Sequence, residues 1–504
     1  MVEGRYSAGR GEAEDAAALL RPEALARLLG GRLPDELPGP GRGVAYDSRR
    51  VRPGDVFFAR QGSAGHGVVH ADAALAAGAA FVVSDAPHPR ALLVDDAWAA
   101  MAAVAAAARA LLRAPVVGVT GSAGKTTVKT LLTAALDGRS TPGNLNTVPA
   151  LAAALVEAAR TEAGLDVPGG DLAGEGRPGS PLVLELGVDH PGEMAELVAF
   201  TRPDHAVLTT VGESHLSRLG DVAAVAREKS ELLAAAPGVL VAGAGAAAHL
   251  PPDVLARTRV ARLLAAGGPA GDGAAAPPTD GAATDGAAYP VPPRGEVAGR
   301  LDGRVLRAFG HELELPWPGR AMAENALLVL TTARLMGVDA AQAFARMAAA
   351  PLEAGRLRTL RLGELTVIDD SYNSNPLSAA LALEVLGASP RPRVAFLGDM
   401  RELGDVSRRR HLELGAATRG LDLVVAIGPE AAAVAEANGS ARHVPSWAEA
   451  ADLLDLVPPG ATVLVKGSRS LGLERLVAAI ASRWGEAAPA EAPGHGAAAA
   501  GGER

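Results

Sequence analysis

The stretch that decides the fold is Val116-Val-Gly-Val-Thr-Gly-Ser-Ala-Gly-Lys-Thr-Thr127. Its first half is a short apolar run, typical of a buried strand in a parallel sheet. The residues behind it, Val128-Lys-Thr-Leu-Leu-Thr-Ala-Ala-Leu136, have the composition of a helix. A glycine-rich turn between a strand and a helix lets backbone N–H groups converge on a phosphate, and the helix N-terminus adds partial positive charge.

In this interpretation Lys125 reaches the outer phosphates and the hydroxyl of Thr126 binds Mg²⁺. The spacing is a variant of the strict P-loop, because Val119 occupies the position of its first glycine. The plain alternative is a glycine-rich turn that carries a surface lysine. The strand before the turn and the helix after it favour a site for a nucleoside triphosphate.

The composition, net charge and cysteine count limit the kinds of protein that this chain can be. The chain has 504 residues, of which 48% are hydrophobic and 21% are charged, as in globular proteins of about two to four domains. The net charge of −9 and the lack of a dense Lys/Arg block disfavour nucleic-acid binding. With 0 Cys, the chain has neither a disulfide framework nor thiolate chemistry.

The N-terminal residues Met1-Val-Glu-Gly-Arg-Tyr-Ser7 contain no basic region followed by an apolar core, so we expect no signal peptide. Residues 97–112 are alanine-rich, but the segment is too short and too weakly apolar to span a bilayer. We therefore expect a cytoplasmic protein without membrane insertion, and a monomer.

Three α/β units follow one another along the chain. Short apolar runs alternate with helical stretches in residues 1–112, 113–351 and 352–486, which predicts right-handed βαβ crossovers. We expect a small N-terminal α/β domain, a central P-loop-type ATPase domain with a parallel sheet, and a C-terminal Rossmann-like, doubly wound domain. Residues 265–300 are a low-complexity Gly/Ala/Pro/Asp segment, predicted to be a disordered insertion, and residues 487–504 are predicted to be a flexible tail.

Three polar residues of the central unit stand out. Glu185 ends an apolar run, and a carboxylate at the end of a buried strand is costly unless a cation or hydrogen-bond donors face it. His215 lies just after a predicted strand, and Lys229 lies on the helix that follows. Taken singly, each has a plain alternative: a strand-end carboxylate, a loop histidine and a lysine on a solvated helix face.

Polar residues also follow the predicted strands of the third unit. In doubly wound sheets, ligands bind beyond the carboxyl ends of the strands. The clusters at those positions are Asp369-Asp-Ser-Tyr-Asn373, Gly398-Asp-Met-Arg-Glu402 and Lys466-Gly-Ser-Arg-Ser470.

Together with the phosphate loop, these segments resemble the Mur ligase family, ATP-dependent enzymes that form amide bonds in bacterial cell-wall synthesis. The resemblance covers nearly the whole chain, and eight ordered matches are far more specific than any one of them. The matching segments are Asp47-Ser-Arg-Arg-Val-Arg-Pro-Gly-Asp55, Thr120-Gly-Ser-Ala-Gly-Lys-Thr-Thr127, Leu184-Glu-Leu-Gly-Val-Asp-His-Pro-Gly-Glu193, Thr201-Arg-Pro-Asp204, His215-Leu216 with Lys229-Ser-Glu231, Asp369-Asp-Ser-Tyr-Asn-Ser-Asn-Pro376, Gly398-Asp-Met-Arg-Glu-Leu-Gly404 and Lys466-Gly-Ser-Arg-Ser470.

The resemblance implies an acid–amino-acid ligase that forms a C–N bond with ATP and two Mg²⁺ ions. It implies a carbamylated lysine at position 229, which turns a cation into an anion that can join the metal site. The implied catalytic residues are Lys125, Glu185, His215 and Lys229, and the implied metal ligands are Thr126, Glu185, His215 and Lys229. The implied ATP-binding residues are Gly121, Ser122, Ala123, Gly124, Lys125, Thr126, Thr127, Asn325, Arg356, Asp370, Tyr372 and Asn373.

The resemblance also implies the substrates. Asp47, Ser48 and Arg49 would hold the uridine diphosphate end of UDP-N-acetylmuramoyl-tripeptide. The incoming D-alanyl-D-alanine or the acceptor tripeptide would contact Lys466, Ser468 and Arg469. The form Tyr372-Asn-Ser-Asn-Pro376 points to the dipeptide-adding branch, since the diamino-acid-adding branch usually has Tyr-Ala-His-x-Pro there and a later Asp-Asn-Pro-Arg motif, which this chain lacks.

Two segments of the central unit depart from the family's pattern, as does Ala64-Gly-His66 in the first unit, where the family usually has Asp-Gly-His. In the central unit, the family's asparagine-rich turn is cut down to Gly143-Asn-Leu-Asn-Thr-Val-Pro149, and Gly319-Arg-Ala-Met322 stands where relatives usually have Gly-x-His-Asn. These two departures motivate one alternative, a catalytically idle paralogue that binds nucleotide or precursor as a scaffold. A second alternative is a Mur-type ligase that adds a diamino acid or extends folate with glutamate. The retained catalytic set favours an active ligase.

Overall fold

A computed structural model of the chain describes residues 12–62, 65–167, 169–264, 295–485 and 488–489. Its N-terminal unit is built on a parallel sheet of order β1-β2-β5-β6, with a two-stranded sheet, β3-β4, beside it. The strands are β1 Gly43–Ala45, β2 Asp55–Ala59, β3 Gln61–Gly62, β4 Gly65–His66, β5 Phe81–Ser84 and β6 Ala91–Leu93. The helices are α1 Glu12–Ala18, α2 Pro22–Leu29, α3 Ala71–Ala76 and α4 Ala97–Leu111.

The central unit is built on a nine-stranded sheet of order β15-β14-β13-β12-β11-β10-β7-β9-β8. The strands are β7 Val116–Thr120, β8 Arg139–Ser140, β9 Leu182–Glu185, β10 His205–Leu208, β11 Leu240–Gly243, β12 Arg259–Leu264, β13 Glu296–Asp302, β14 Val305–Ala308 and β15 His311–Glu314. The helices are α5 Lys125–Ala135, α6 Val148–Glu162, α7 Glu193–Thr201, α8 Leu216–Leu219, α9 Val222–Ala235, α10 Ala244–Ala247, α11 Pro252–Arg257, α12 Arg320–Leu335 and α13 Ala340–Ala349.

The central strands β7, β9 and β10 are buried at every position. Burial on both faces explains why these strands are continuous apolar runs rather than alternating ones. The predicted parallel sheet is confirmed from β8 to β13, and the structure adds an antiparallel edge in which β14 and β15 follow β13.

The N-terminal and central units share one hydrophobic core. Helix α4 packs on α6 and α7, and a single cluster of buried residues runs from Phe58 and Met101 to Leu184 and Leu240. A second cluster on the other face of the central sheet includes Leu131 and helix α12. The N-terminal unit is therefore packed onto the central sheet, although its sequence is that of a separate α/β unit.

The predicted disordered insertion, residues 265–300, is wrong at its C-terminal end. Residues 265–294 lie outside the described residues. Glu296–Asp302 forms β13, which pairs in parallel with β12 from Val260 onward. The prediction from composition placed the end of the insertion too late. Glu296–Asp302 is ordered by its pairing with β12, and the composition of so short a polar segment does not indicate a strand.

The third unit is built on a seven-stranded sheet of order β20-β19-β18-β21-β17-β16-β22. The strands are β16 Arg358–Leu362, β17 Leu365–Asp370, β18 Arg393–Gly398, β19 Leu423–Ile427, β20 Arg442–Val444, β21 Thr462–Lys466 and β22 Ala488–Pro489. The helices are α14 Pro376–Ala388, α15 Ser407–Ala417, α16 Ala432–Asn438, α17 Trp447–Asp452 and α18 Glu474–Trp484.

In this third sheet, the five strands β17 to β21 are parallel and β16 pairs antiparallel with β17, so the predicted doubly wound domain is confirmed. Of the predicted flexible tail, Ala488–Pro489 forms β22 and pairs with β16, and residues 487 and 490–504 lie outside the described residues. None of the helices in the described part of the chain has the length and apolar character needed to cross a lipid bilayer.

Candidate functional site

The predicted phosphate loop joins β7 to α5 and is held by hydrogen bonds to the end of β10. The Ser122 N–H donates to the Thr210 carbonyl oxygen at 2.9 Å, and the Ala123 N–H donates to Thr210 Oγ1 at 2.8 Å. Gly124 is the N-cap of α5 with a φ of 80°. Lys125 Nζ donates to the Gly121 carbonyl oxygen at 2.8 Å, so the side chain folds back over the loop.

Gly121 is required by close packing at the start of the loop. Its φ is +149°, and a Cβ built there would lie 2.0 Å from Thr209 Oγ1 and 3.0 Å from the Thr210 backbone nitrogen. Gly121→Ala is therefore expected to destabilise the protein by about 1–3 kcal/mol and to weaken nucleotide binding, because the loop must shift. Urea unfolding and calorimetric titration with ADP measure the two effects.

Gly387→Ala is the matched control for Gly121→Ala. Gly387 lies in α14, and nothing lies within 4 Å of a Cβ built on it. Alanine there should leave nucleotide binding unchanged and raise stability by about 0.5–1 kcal/mol. Equal behaviour of the two variants would contradict the steric argument.

Glu185 lies at the end of β9, next to β7, where Val119 pairs with it. The carboxylate is 1% exposed. It accepts a hydrogen bond from Thr126 Oγ1 at 2.8 Å and one from Asn146 Nδ2 at 3.0 Å. The strand-end carboxylate is thus aimed at the first turn of α5, as its place in the sequence predicts, and a hydroxyl beside a carboxylate is an oxygen pair that suits a hard divalent cation.

Lys229 lies on α9 and is 0% exposed. Its Nζ makes no hydrogen bond to any residue that the structure describes. Burial, with the charge of Lys125 acting in the same direction, lowers the pKa of Lys229 to about 7. The predicted alternative of a solvated surface lysine is therefore wrong: this amine is buried, makes no hydrogen bond to the described residues, and loses its charge far more readily than an exposed lysine.

His215 begins α8 with a φ of 55°, and its side chain lines the same cavity as the phosphate loop. Its Nδ1 lies 2.5 Å from Glu402 Oε2 of the third unit. His215 is therefore placed at the junction between the central and third units.

The third unit contributes a cluster of cations and polar groups. The guanidinium of Arg356 lies over the ring of Tyr372, 3.8 Å from its centroid, and that of Arg469 lies 5.4 Å from the same ring. Lys466 Nζ donates to Asp370 Oδ2 at 2.6 Å and to the Asn373 carbonyl oxygen at 2.9 Å. The polar clusters that follow β17 and β21 thus meet, because these strands are parallel neighbours.

These elements enclose one cavity of about 1210 Å³ between the central and third units. The predicted site residues that line it are Ser122, Ala123, Gly124, Lys125, Thr126, Thr127, Glu185, His215, Asn325, Arg356, Asp370, Tyr372, Asn373, Lys466, Ser468 and Arg469. Gly121 and Lys229 lie beneath its wall: Gly121 accepts the Lys125 hydrogen bond, and the charges of Lys125 and Glu185 act on Lys229. The volume, the phosphate loop and the surrounding cations suit a nucleoside triphosphate.

The predicted residues of the N-terminal unit are not part of this cavity. Asp47 caps a short 3-10 turn, Ser48–Arg50, and accepts hydrogen bonds from the Arg49 side chain, which holds the pKa of Asp47 down at about 2. Asp47 lines a separate cavity of about 60 Å³ with Tyr46 and Arg50. The sequence-predicted uridine site is therefore spatially apart from the phosphate loop.

Sequence reasoning missed four residues of the site. Lys129, 1% exposed, donates from Nζ to the Thr141 carbonyl oxygen at 2.6 Å and also to that of Gly143, so it holds the shortened asparagine turn. From this turn Asn146 reaches Glu185, and Asn144 lies against the Tyr372 hydroxyl. Across the gap, Asn375 Nδ2 donates to the Ser122 carbonyl oxygen at 3.1 Å.

The signal for three of these residues was present. Asn144 and Asn146 stand in the turn that departs from the family's pattern, and Asn375 stands in the Tyr372-Asn-Ser-Asn-Pro376 motif. The shortened turn still supplies two side-chain amides to the site. At the second departure, Met322 is 1% exposed and packs in the core cluster on this face of the central sheet while lining the cavity.

Comparison with family models gives three matches along the chain. Residues 42–120 match the model described as Mur ligase family, catalytic domain. Residues 119–248 match the Mur ligase middle domain, and residues 355–469 match the Mur ligase, glutamate ligase domain.

Among curated proteins, the UDP-N-acetylmuramoyl-tripeptide--D-alanyl-D-alanine ligase of Escherichia coli (strain K12) is 32% identical, covering 87% of this chain and 93% of its own length. The protein of that name from Synechocystis is 30% identical, covering 86% and 90%. Among solved structures, MurF from Acinetobacter baumannii superposes with a TM-score of 0.72 at 24% identity, covering 92% and 98%. MurF ligase from Thermotoga maritima in complex with ADP gives 0.68 at 25%, covering 88% and 98%. By its ordered motifs, its three units and these matches, the chain belongs to the Mur ligase family.

Proposed function

We propose that the chain is an ATP-dependent ligase that joins D-alanyl-D-alanine to UDP-N-acetylmuramoyl-tripeptide in the synthesis of the peptidoglycan precursor. The observation that carries the proposal is the single cavity in which the phosphate loop, the Thr126–Glu185 pair and the third-unit cations meet. The names of relatives that match 86% and 87% of the chain support the choice of substrates.

The proposed reaction has two steps. A carboxylate is a poor acyl donor, because its leaving group would be oxide. An oxygen of the tripeptide carboxylate first attacks the γ-phosphorus of ATP, which forms an acyl phosphate and releases ADP. The amine of D-alanyl-D-alanine then attacks the acyl carbon, the C–N bond forms, the bond to phosphate breaks, and the amine loses a proton.

The chain's own residues contribute positioning and charge neutralisation to these steps. We assign Lys125 to the phosphates of ATP, and Asn325, Arg356, Asp370, Tyr372 and Asn373 to the rest of the nucleotide. A Cβ built on Gly124 would lie 2.9 Å from Asn325 Oδ1, so Asn325 lies directly against the phosphate loop. We assign Lys466, Ser468 and Arg469 to the peptide substrates, and Asp47, Ser48 and Arg49 to the uridine diphosphate end.

We assign Mg²⁺ to Thr126, Glu185, His215 and a carbamylated Lys229. When bound, Mg²⁺ offsets the negative charge of the phosphate oxygens and of the carboxylate that must approach them. Two anionic groups about 4 Å apart repel by about 4 kcal/mol at an effective dielectric constant of about 20, so cations are needed at this place. The hydroxyl and carboxylate oxygens of Thr126 and Glu185, 2.8 Å apart, fit such an ion.

Carbamylation of Lys229 fits the surroundings of its amine. An amine adds CO₂ only in its neutral form, and the buried Nζ of Lys229 has a pKa of about 7 and no hydrogen-bond partner among the described residues. The product is an anion, which the positive charge of Lys125 and a metal ion would stabilise.

The proposed function is tested by incubating the protein with ATP, Mg²⁺, the UDP-linked tripeptide and D-alanyl-D-alanine, with mass spectrometry of the products. We expect the UDP-linked pentapeptide with one ADP per product, and no continued ADP release over many turnovers when either peptide substrate is omitted. A parallel panel offers a diamino acid, and folate with glutamate.

Product from the panel but not from the dipeptide would replace the proposal by another Mur-type ligase. Nucleotide binding without product from any acceptor would identify an idle paralogue. We further propose that the enzyme works as a monomer in the cytoplasm, where ATP is present, so light scattering should give the mass of one 50.7 kDa chain.

A further inference from the structure

Glu402 reaches from the third unit into the central unit and contacts His215. Its Oε2 lies 2.5 Å from His215 Nδ1. The carbonyl oxygen of Glu402 accepts a hydrogen bond at 3.1 Å from the N–H of Ser217, which is two residues after His215. Both the side chain and the backbone of Glu402 are thus engaged with the start of α8.

Both residues have a left-handed backbone, which side chains rarely adopt. The φ of His215 is 55° and that of Glu402 is 67°. Such conformations cost about 1–3 kcal/mol and persist where the surrounding contacts determine them, often at active sites. The two residues with this strained backbone face each other across the junction of the units. We infer that their mutual contact helps to hold both conformations.

The contact pairs the carboxyl group of Glu402 with the imidazole of His215. A carboxylate on one ring nitrogen fixes the orientation and tautomer of a histidine and leaves the other nitrogen for a ligand.

The contact depends on how the two units pack together. Other contacts between them near the cavity include the ion pair of Arg410 with Glu213 and the Asn375 hydrogen bond to the Ser122 carbonyl oxygen. Among these, Glu402 is the side chain that meets His215.

We propose that Glu402 is a positioning residue that holds Nδ1 of His215, so that Nε2 becomes the ring atom presented to the cavity when the third unit is packed on the central unit. The inference rests on the proposed function only in taking His215 as a metal ligand. In this arrangement the metal site is complete only when the third unit is packed on the central unit, because the carboxylate of Glu402 then orients the His215 ring.

The test uses the full chain with ADP and Mn²⁺ as the probe. Electron paramagnetic resonance titration gives the Mn²⁺ dissociation constant for the wild type, Glu402→Ala and Glu402→Gln. We expect Glu402→Ala to weaken Mn²⁺ binding by about 10-fold or more, the range seen when a residue that orients a metal ligand is removed. Glu402→Gln, which keeps the shape and loses the charge, should show a smaller loss.

A second readout is the tautomer of His215, measured by ¹⁵N NMR at about pH 8 with His215→Asn to assign the signal. In the wild type we expect the proton on Nδ1, and in Glu402→Ala we expect a shift of the proton toward Nε2. If Glu402→Ala does not fold, the same two measurements on Glu402→Gln decide.

Arg410→Gln is the matched control, because it breaks a neighbouring ion pair between the units without touching His215. Its Mn²⁺ affinity should stay within about 2-fold of the wild type. An unchanged Mn²⁺ affinity and an unchanged His215 tautomer in Glu402→Ala would overturn the inference, as would an equal loss in Arg410→Gln. A wild type that forms no product, with Mn²⁺ binding still weakened in Glu402→Ala, would refute the proposed function alone.

Discussion

We expect Lys125→Ala to lower ADP release in the presence of both peptide substrates by about 10³-fold or more. Lys125 is the basic side chain of the phosphate loop, and its Nζ already lies over that loop through the hydrogen bond to the Gly121 carbonyl oxygen. Burial lowers the pKa of the Lys125 amine in the absence of an anion. A triphosphate would favour the charged form, so the lysine gains its full attraction only with bound nucleotide.

The measurement for Lys125→Ala is coupled ADP release together with thermal unfolding. The variant loses a desolvated cation, and the nearby carboxylate of Glu185 keeps its hydrogen bonds from Thr126 and Asn146, so we expect a melting temperature close to that of the wild type. Arg408→Ala, which removes an exposed cation paired with Glu436, should keep its turnover within about 2-fold. Turnover of Lys125→Ala at the wild-type level would contradict the role of the loop.

The phosphate loop and its surroundings were predictable because they depend on local pattern. A strand, a glycine-rich turn and a helix occur within one short stretch, and parallel strands end at one edge of the sheet, so Glu185 had to lie near Thr126. The ordered motifs predicted the family and the three-unit fold, and the three family models and the solved structures confirm both. The roles of the site residues stay predictions.

Contacts between distant segments were not predictable from one sequence. The approach of Glu402 to His215 depends on how two units pack, and the hold of Lys129 on the asparagine turn depends on the path of a loop. The strand β13 directly follows a low-complexity segment, and only its pairing with β12 reveals it. Long-range packing decides these features, and periodicity carries no signal for it.

Lysine is rare in this chain, and its few positions are all at or near the candidate site. The sequence has 48 Lys and Arg residues, of which four are lysines: Lys125, Lys129, Lys229 and Lys466. Lys125 is half-buried at the phosphate loop, and the other three are at most 2% exposed. Surface positions carry arginine instead, so lysine occurs in this chain only where a compact primary amine has a specific place.

The use of lysine and not arginine at position 229 leads to a specific expectation for substitutions there. Arginine carries charge as well as lysine does, but a guanidinium does not lose its proton at neutral pH and forms no carbamate in this way. If the site needed only a cation, Lys229→Arg would be tolerated. If it needs a carbamate, Lys229→Arg and Lys229→Met should both lower turnover by about 10²-fold or more.

The pH dependence follows from the lowered pKa of Lys229. Since the folded-state pKa of about 7 lies below the ordinary value of 10.5, the unfolded chain binds the extra proton between these two values. Stability contributed by this group therefore rises with pH from about 7 to 10.5 and is lost as the pH falls through that window. Lys229→Met should remove this dependence without loss of stability, because an apolar side chain replaces an unpaired buried amine.

The carbamate itself is expected to appear as one ¹³C NMR signal when the protein is equilibrated with ¹³C-bicarbonate at about pH 8, where the Lys229 amine is mostly neutral. The signal should be absent in Lys229→Met, and the small number of lysines makes that assignment direct. Buffers freed of CO₂ should lower turnover of the wild type, and added bicarbonate should restore it. Turnover that is independent of CO₂ and retained in Lys229→Arg would show that the buried amine acts as a cation. Position 229 would then contribute a positive charge to the site and not the negative charge of a carbamate.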